Sequence, residues 1–267
     1  MNDRLLSGSS IDEDIENDIH LRPRNLSTYG GQKDVKRTLS IGIKAAKQRN
    51  DPLDHILLYG PPGLGKTTLA NIISSEMSAK IKTTSGPAIE RPGDMVAILS
   101  QLQKNDILFI DEIHRLNRVV EEVLYPAMED FFVTWVIDKG LKARSMNLSL
   151  KPFTLIGATT RFGMVSAPLR DRFGSIHRLQ FYNVPEMEII LARASRILDV
   201  NSDENGIREI AKRSRGTPRV GIRLLRRVRD YAQVIADNII TEEVSKKALE
   251  DVEQNGIVFI DEIDKIT

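Results

Sequence analysis

The sequence predicts an α/β fold: a parallel-sheet core with an inserted β-hairpin, followed by a small all-α domain. Three observations predict it. Short apolar β-type runs alternate with helical patterns up to about residue 181. One stretch, residues 132–150, breaks that alternation with two β-type runs in succession. After Pro185 every periodic segment has helical spacing.

Taken in order, the first 19 residues are polar and acidic (Asp12, Glu13, Asp14, Glu16, Asp18) and are expected to be flexible. Val35, Leu39, Ile43 and Ala46 recur at helical spacing, which predicts a helix over 34–47. Strands are predicted at 56–59, 80–84, 107–110, 153–158 and 176–181, and helices at 66–77, 94–103, 119–129 and 165–172. In the hairpin, Val133, Trp135, Val136 and Ile137 precede Asp138-Lys139-Gly140, and Met146, Leu148 and Leu150 follow. Pro185 suits a first helical turn, after which Met187, Ile190, Leu191, Ala194 and Leu198 share a face. A short helix over 207–212 ends at Gly216-Thr217-Pro218, and Ile222, Leu225, Val228, Ala232 and Ile235 line a longer one. Thr241 reads as the N-cap of a helix over 244–252. The expected domains are therefore 20–181 and 182–253, with 1–19 and 254–267 as extensions.

Composition narrows the class. The chain has 267 residues, long enough for a core without disulfides or metals. Its 38 Lys+Arg against 37 Asp+Glu give +1, which excludes a polycation or an acidic tail protein and leaves local patches open. With no cysteine, thiolate zinc sites, iron–sulfur clusters and cysteine nucleophiles are excluded. No apolar run approaches the roughly 18 residues of a membrane span, and the N-terminus has no apolar signal core. A soluble cytoplasmic protein with no membrane partner is the expectation.

Residues 60–67 read Gly-Pro-Pro-Gly-Leu-Gly-Lys-Thr, between an apolar strand and a helical pattern, and match the phosphate-loop motif in full. The glycines let backbone N–H groups turn onto phosphate, and the helix dipole adds positive potential. Lys66 would reach the β and γ phosphates, and the Thr67 hydroxyl would hold Mg²⁺. A second half follows where Ile107-Leu108-Phe109-Ile110 ends in Asp111-Glu112. Carboxylates at the C-terminal end of a parallel strand lie where ligands bind. Asp111 would hold the Mg²⁺ water shell and Glu112 would polarise an attacking water. These residues predict an ATP or GTP site that hydrolyses its nucleotide.

From these motifs the chain resembles the ring-forming AAA+ ATPases, and among them the RuvB family of Holliday-junction branch-migration motors. The similar strings are Leu21-Arg22-Pro23, Gly60 through Thr68, Ile110 through Leu116, Pro126 through Phe131, Ala143-Arg144-Ser145, Gly157 through Arg161, Pro168 through Gly174 and Gly216 through Arg219. The resemblance covers residues 20–253. It implies ATP and Mg²⁺ as ligands, with Gly63, Gly65, Lys66, Thr67 and Thr68 in the pocket. It implies Thr160 as a polar sensor of the γ-phosphate and Arg172 as an arginine finger entering a neighbouring subunit's site, with Arg170 as a rival. Arg219 resembles a second sensor on the helical lid. Leu21, Arg22 and Tyr182 match adenine-pocket positions, and Glu129-Asp130-Phe131 resembles a segment reaching the neighbour's ATP. The implied partners are further copies in a ring, as in a hexamer, Holliday-junction DNA, and RuvA, which the hairpin around Trp135 would dock. Packing of Trp135 on its own domain is the competing reading.

Two departures qualify the resemblance. The family continues into a winged-helix domain that grips DNA, whereas residues 257–266 repeat 107–116 with six identities in ten. That string resembles an Asp-Glu strand of the AAA+ unfoldases. No phosphate loop stands upstream of it in 183–254, so Asp261 and Glu262 are expected to be non-catalytic. Weak DNA binding by the chain alone is the corresponding expectation. An unfoldase would need an aromatic pore loop near 86–95, where Pro87-Ala88-Ile89-Glu90-Arg91-Pro92 has none. A binding switch with little hydrolysis is the third reading, and Lys66, Asp111, Glu112 and Arg172 speak against it.

Overall fold

The computed structural model describes residues 21–137 and 144–255, with backbone alone for 135–137, 144–145 and 252–255. The expected flexible N-terminus, the Asp138-Lys139-Gly140 turn and the strand-like string after 255 lie outside the described residues. Two compact units result: residues 23–180, and 181–255 together with 21–22.

In the first unit, α1 (Lys33–Arg49) buries Val35, Leu39, Ile43 and Ala46, the four positions whose spacing predicts it. There follow β1 (Ile56–Tyr59), α2 (Lys66–Met77), β2 (Ile81–Ser85), α3 (Pro92–Ser100), β3 (Ile107–Asp111) and α4 (Arg118–Glu129). The hairpin β4 (Phe132–Ile137) and β5 (Arg144–Ser149) pairs antiparallel, Val133 opposite Leu148 and Trp135 opposite Met146. Then come β6 (Thr154–Thr159), the short α5 (Ala167–Arg170) and β7 (Ser175–Arg178). Five strands form one sheet in the order β2-β3-β6-β1-β7, and every pairing in it is parallel. A parallel sheet covered on both faces needs continuous apolar strands. Accordingly β6 is buried at all six positions, and Phe109 and Phe153 are fully enclosed. At the centre, a Cβ on Gly157 would lie 2.9 Å from Ile113 and 3.2 Å from Leu57.

Some predicted boundaries move, each for a local reason. The helix expected at 94–103 starts at Pro92, because Asp94 caps the Arg91 N–H at 2.9 Å. The helix expected over 165–172 shrinks to α5. A 3₁₀ turn (Phe162–Met164) precedes it, and Arg172 and Phe173 donate to carbonyls only three residues back, at 3.3 and 3.1 Å. The strand expected at 176–181 ends at Arg178, and Leu179 N–H makes the last bond, to Tyr59 O at 2.8 Å.

The second unit contains α6 (Val184–Ile197), α7 (Glu204–Arg213), α8 (Pro218–Ile235) and α9 (Glu242–Asn255). Asn183 and Glu186 form a reciprocal capping box at the start of α6, with Pro185 in the first turn. Thr241 caps α9 through the Val244 N–H at 3.3 Å. A two-residue parallel pairing of β8 (Asn201–Ser202) with β9 (Ile239–Ile240) ties the helices together. Met187, Leu191, Ile210, Leu225, Val228 and Ala232 make the buried interior. Ile235, placed on that face by its spacing, is exposed, because α8 ends there.

Candidate active site

The parallel register brings three strand ends together. Tyr59 pairs with Thr159, and Ile110 with Gly157. The C-terminal ends of β1, β6 and β3 therefore carry, side by side, the loop 60–67, Thr159-Thr160 and Asp111-Glu112. Ligands of open α/β sheets bind in this crevice.

The loop is held open by backbone conformations that favour glycine. Gly60 has φ 145°, and a Cβ there would stand 2.5 Å from Leu179 O. Gly65, φ 92°, precedes α2 and has no side chain to cover the helix N-terminus. Gly60 N–H donates to Thr159 O at 3.2 Å, fixing the loop to the sheet. Lys66 is buried, and its Nζ donates to Gly60 O at 2.8 Å and Pro61 O at 2.9 Å. The buried ammonium is thus held by two carbonyls of the loop itself. Thr67 and Thr68 occupy the same first turn of α2, and Gly63 (φ 75°) lies at the loop's crest.

Asp111 ends β3, opposite Ser85. Its Oδ1 accepts from Glu112 N–H at 2.9 Å. Glu112 is in the left-handed region (φ 49°), a conformation that costs a non-glycine residue about 1–3 kcal/mol. Its carboxylate meets Arg115 Nη1 at 3.5 Å. Gly86 makes room for this turn, since a Cβ there would lie 2.4 Å from Glu112 O.

The two adjacent threonines differ. Thr159 Oγ1 is bonded to His114 Nδ1 at 2.9 Å and accepts from Arg161 N–H at 2.9 Å. Thr160 Oγ1 is buried with no hydrogen-bond partner among the described residues. A buried hydroxyl in that state is costly unless something fills it.

Arg172 and Arg170 diverge. Arg170 lies over the Phe162 ring at 5.2 Å, and Phe162 stacks on Tyr59 at 4.4 Å. Arg172 turns to α4: its guanidinium lies 4.3 Å over the Tyr125 ring, its Nη1 donates to Pro168 O at 2.6 Å, and Nη2 lies 3.3 Å from Glu129. Beyond Arg172 the chain enters β7 at Ser175, whose N–H donates to His55 O at 3.2 Å. His55 precedes the N-terminal end of β1, with a strand of about 13 Å between that end and the phosphate loop. Glu129 and Asp130 close α4 as exposed residues, whereas the Phe131 ring packs on His55 and Phe153 at 6.5 and 5.9 Å. Any nucleotide contact from Phe131 would thus be through its backbone.

Leu21, Arg22, Tyr182 and Arg219 belong to the other unit. There, Leu21 and Tyr182 are buried, Tyr182 N–H donates to Gly216 O at 2.9 Å, and Arg219 is exposed in the first turn of α8. The Trp135 side chain lies outside the described residues. Tyr125 and Glu121 take part in this polar construction without any motif in the sequence to mark them, and His114 does so from within the string Ile110 through Leu116.

Comparison with known proteins agrees with the geometry. A model of the Holliday junction DNA helicase RuvB P-loop domain matches residues 21–179, and one of the RuvB AAA lid domain matches 182–255. The chain belongs to the RuvB family. Among solved structures it is similar to the Thermotoga maritima RuvB Holliday junction branch migration motor, at 48% identity and TM-score 0.79. That match covers 89% of this chain and 76% of the other. A mutant of the same Thermotoga protein matches at 48% identity and TM-score 0.80, covering 88% of this chain and 76% of that one. The family's parallel-sheet ATPase core and helical lid are both present, and P-loop membership makes this a nucleotide-binding protein. Among the described residues no helix is long and apolar enough to cross a membrane.

Proposed function

We propose that the chain is an ATP-hydrolysing ring subunit that drives branch migration of Holliday junctions with RuvA. The observation that carries this reading is the convergence of loop 60–67, Asp111-Glu112 and the unpartnered Thr160 hydroxyl at three adjacent strand ends. Loop N–H groups and Lys66 take the β and γ phosphates, Lys66 exchanging two carbonyl acceptors for phosphate oxygens. The donor set fits a hard cation: the Thr67 hydroxyl would hold Mg²⁺ directly and Asp111 through water. Bound Mg²⁺ would neutralise charge on the transferring phosphoryl group. Glu112 orients the attacking water and accepts its proton, and Thr160 donates to the γ-phosphate. Arg172 serves the next subunit, since each of its partners is on α4 or α5 and none is on its own phosphate loop. Glu129-Asp130-Phe131 would face that same neighbour.

On the resemblance, Leu21, Arg22 and Tyr182 bind adenine, and Arg219 couples the lid to the phosphates. Trp135 on the β4–β5 hairpin is the proposed RuvA contact, and Trp135→Ala should weaken that binding. The deciding experiment measures ATPase rate alone, with RuvA, with four-way-junction DNA, with both, and with an unfolded protein. Stimulation by RuvA and junction together supports the motor. Stimulation by the unfolded protein alone would replace it with an unfoldase, and negligible turnover throughout with a binding switch.

A further inference from the structure

The surroundings of Arg172 are more elaborate than a solvent-facing arginine needs. Three residues of α4 one turn apart, Glu121, Tyr125 and Glu129, line up towards α5 and Arg172. Glu121 is buried and accepts from Ser166 Oγ at 2.5 Å and from the Tyr125 hydroxyl at 3.2 Å. Ser166 is also the N-cap of α5, accepting from Leu169 N–H at 3.4 Å. The Tyr125 ring is thus anchored at its hydroxyl end, and burial pushes its phenol above the ordinary value, keeping it neutral. The guanidinium of Arg172 lies 4.3 Å above this fixed ring face. Its Nη1 is pinned to Pro168 O at 2.6 Å.

The charge partner is held differently. Glu129 Oε2 accepts from Nη2–H at 3.3 Å and Oε1 lies 3.3 Å from Nε, whose buried N–H has no aligned hydrogen bond among the described residues. The Glu129 side chain is 53% exposed against 22% for Arg172. A loose, solvated carboxylate is readily exchanged for another anion, whereas a ring face accompanies the guanidinium whichever anion it meets.

We infer that Tyr125 is the positioning residue of the arginine finger. Locked by Glu121 and Ser166, it presents the Arg172 guanidinium to the neighbouring subunit's phosphates, and Glu129 occupies that guanidinium until a phosphate replaces it. The inference rests on the trans role of Arg172 proposed above.

The test uses the full chain. Tyr125→Met keeps side-chain bulk and removes the ring face; Tyr125→Phe keeps the face. Tyr125→Met should lower kcat about 3- to 30-fold at little changed KM for ATP, and Tyr125→Phe should recover most of the rate. Mixing Tyr125→Met with Glu112→Gln subunits should restore turnover, because an intact site then meets an intact finger. A merely destabilised Tyr125→Met would not be rescued. Arg172→Ala mixed with Glu112→Gln is the reference. If that reference pair restores nothing, the trans finger fails and the inference with it. If the reference recovers but Tyr125→Met turns over normally, or stays impaired in the mixture, the positioning role is overturned while the finger stands. Should Tyr125→Met not fold, the Arg172 Nε–H resonance of the wild type decides. A ring-current displacement retained in Tyr125→Phe supports the inference, and an undisplaced resonance overturns it.

Discussion

The two ends of β1 carry polar constructions of opposite kinds. At the C-terminal end the groups are mostly backbone: a glycine loop tied to Thr159 O, carbonyls of Gly60 and Pro61 around one buried lysine, and the first turn of α2. Near the N-terminal end they are side chains from distant segments. His55 bridges Met128 O and Leu155 N–H, and Glu129, the residue after Met128, meets Arg172, which rests on Tyr125. Backbone geometry makes the first a fixed anion receptacle; the second holds a cation, Arg172, which under the proposed trans role would exchange Glu129 for a neighbour's phosphate. Under the trans role proposed for Arg172, a subunit so built carries a receptacle for one site and a donor for another, and turnover would require two copies.

Breaking either end should have the largest effect. Lys66→Ala should reduce ATP turnover by about a thousandfold or more, with the thermal unfolding midpoint nearly unchanged; normal turnover would remove the phosphate site. Arg172→Ala should cost about 10³ in kcat while ATP binding, read by titration calorimetry, stays within a fewfold. Comparable loss of binding would place Arg172 in its own site.

The middle of the sheet that separates the two ends should respond in stability. Gly157→Ala pushes a methyl to within 2.9 Å of Ile113 and 3.1 Å of Phe173. A loss of about 1–3 kcal/mol in urea unfolding is expected, and an unchanged midpoint would mean that the strands are less tightly spaced.

A smaller effect distinguishes the side-chain end. Burial holds His55 below its ordinary value of 6.5, outweighing the opposing pull of Met128 O and Asp54, and burial does the same to His177. Both imidazoles are neutral in the folded chain. Their contribution is complete above about pH 6.5 and falls as pH drops below it, because the unfolded chain takes up the protons first. The urea midpoint should therefore be lower at pH 5.5 than at 7.5. A flat midpoint would contradict the neutral, doubly bonded His55.

The contrast also explains what could be read in advance. The phosphate loop is contiguous, and its chemistry needs glycine, lysine and threonine at fixed spacing, so residues 60–67 identify themselves. Lys66–Met77 and the β1 bounds follow from the same local rules. The cradle of Arg172 could not be read this way, because Tyr125 and Ser166 are far apart in sequence and ordinary in kind. Ser166, between the 3₁₀ turn and the short α5, meets Tyr125 through Glu121, and no helical periodicity signals that. Within α4, Glu121, Tyr125 and Glu129 do stand at i, i+4 and i+8, a stripe visible in the sequence but mute without its partner. Only the family resemblance singles out Thr160 in the sequence; that its hydroxyl is buried without a partner among the described residues, while that of Thr159 is bonded to His114, is a tertiary fact.

If one subunit's finger completes another's site, variants damaged in opposite halves must rescue each other. Glu112→Gln subunits keep the finger and lose the water-orienting carboxylate, and Arg172→Ala subunits do the reverse. Steady-state ATPase should be near background for each alone and should rise in a mixture, reaching a maximum near equal proportions. A mixture no more active than the average of its two components would contradict the shared site.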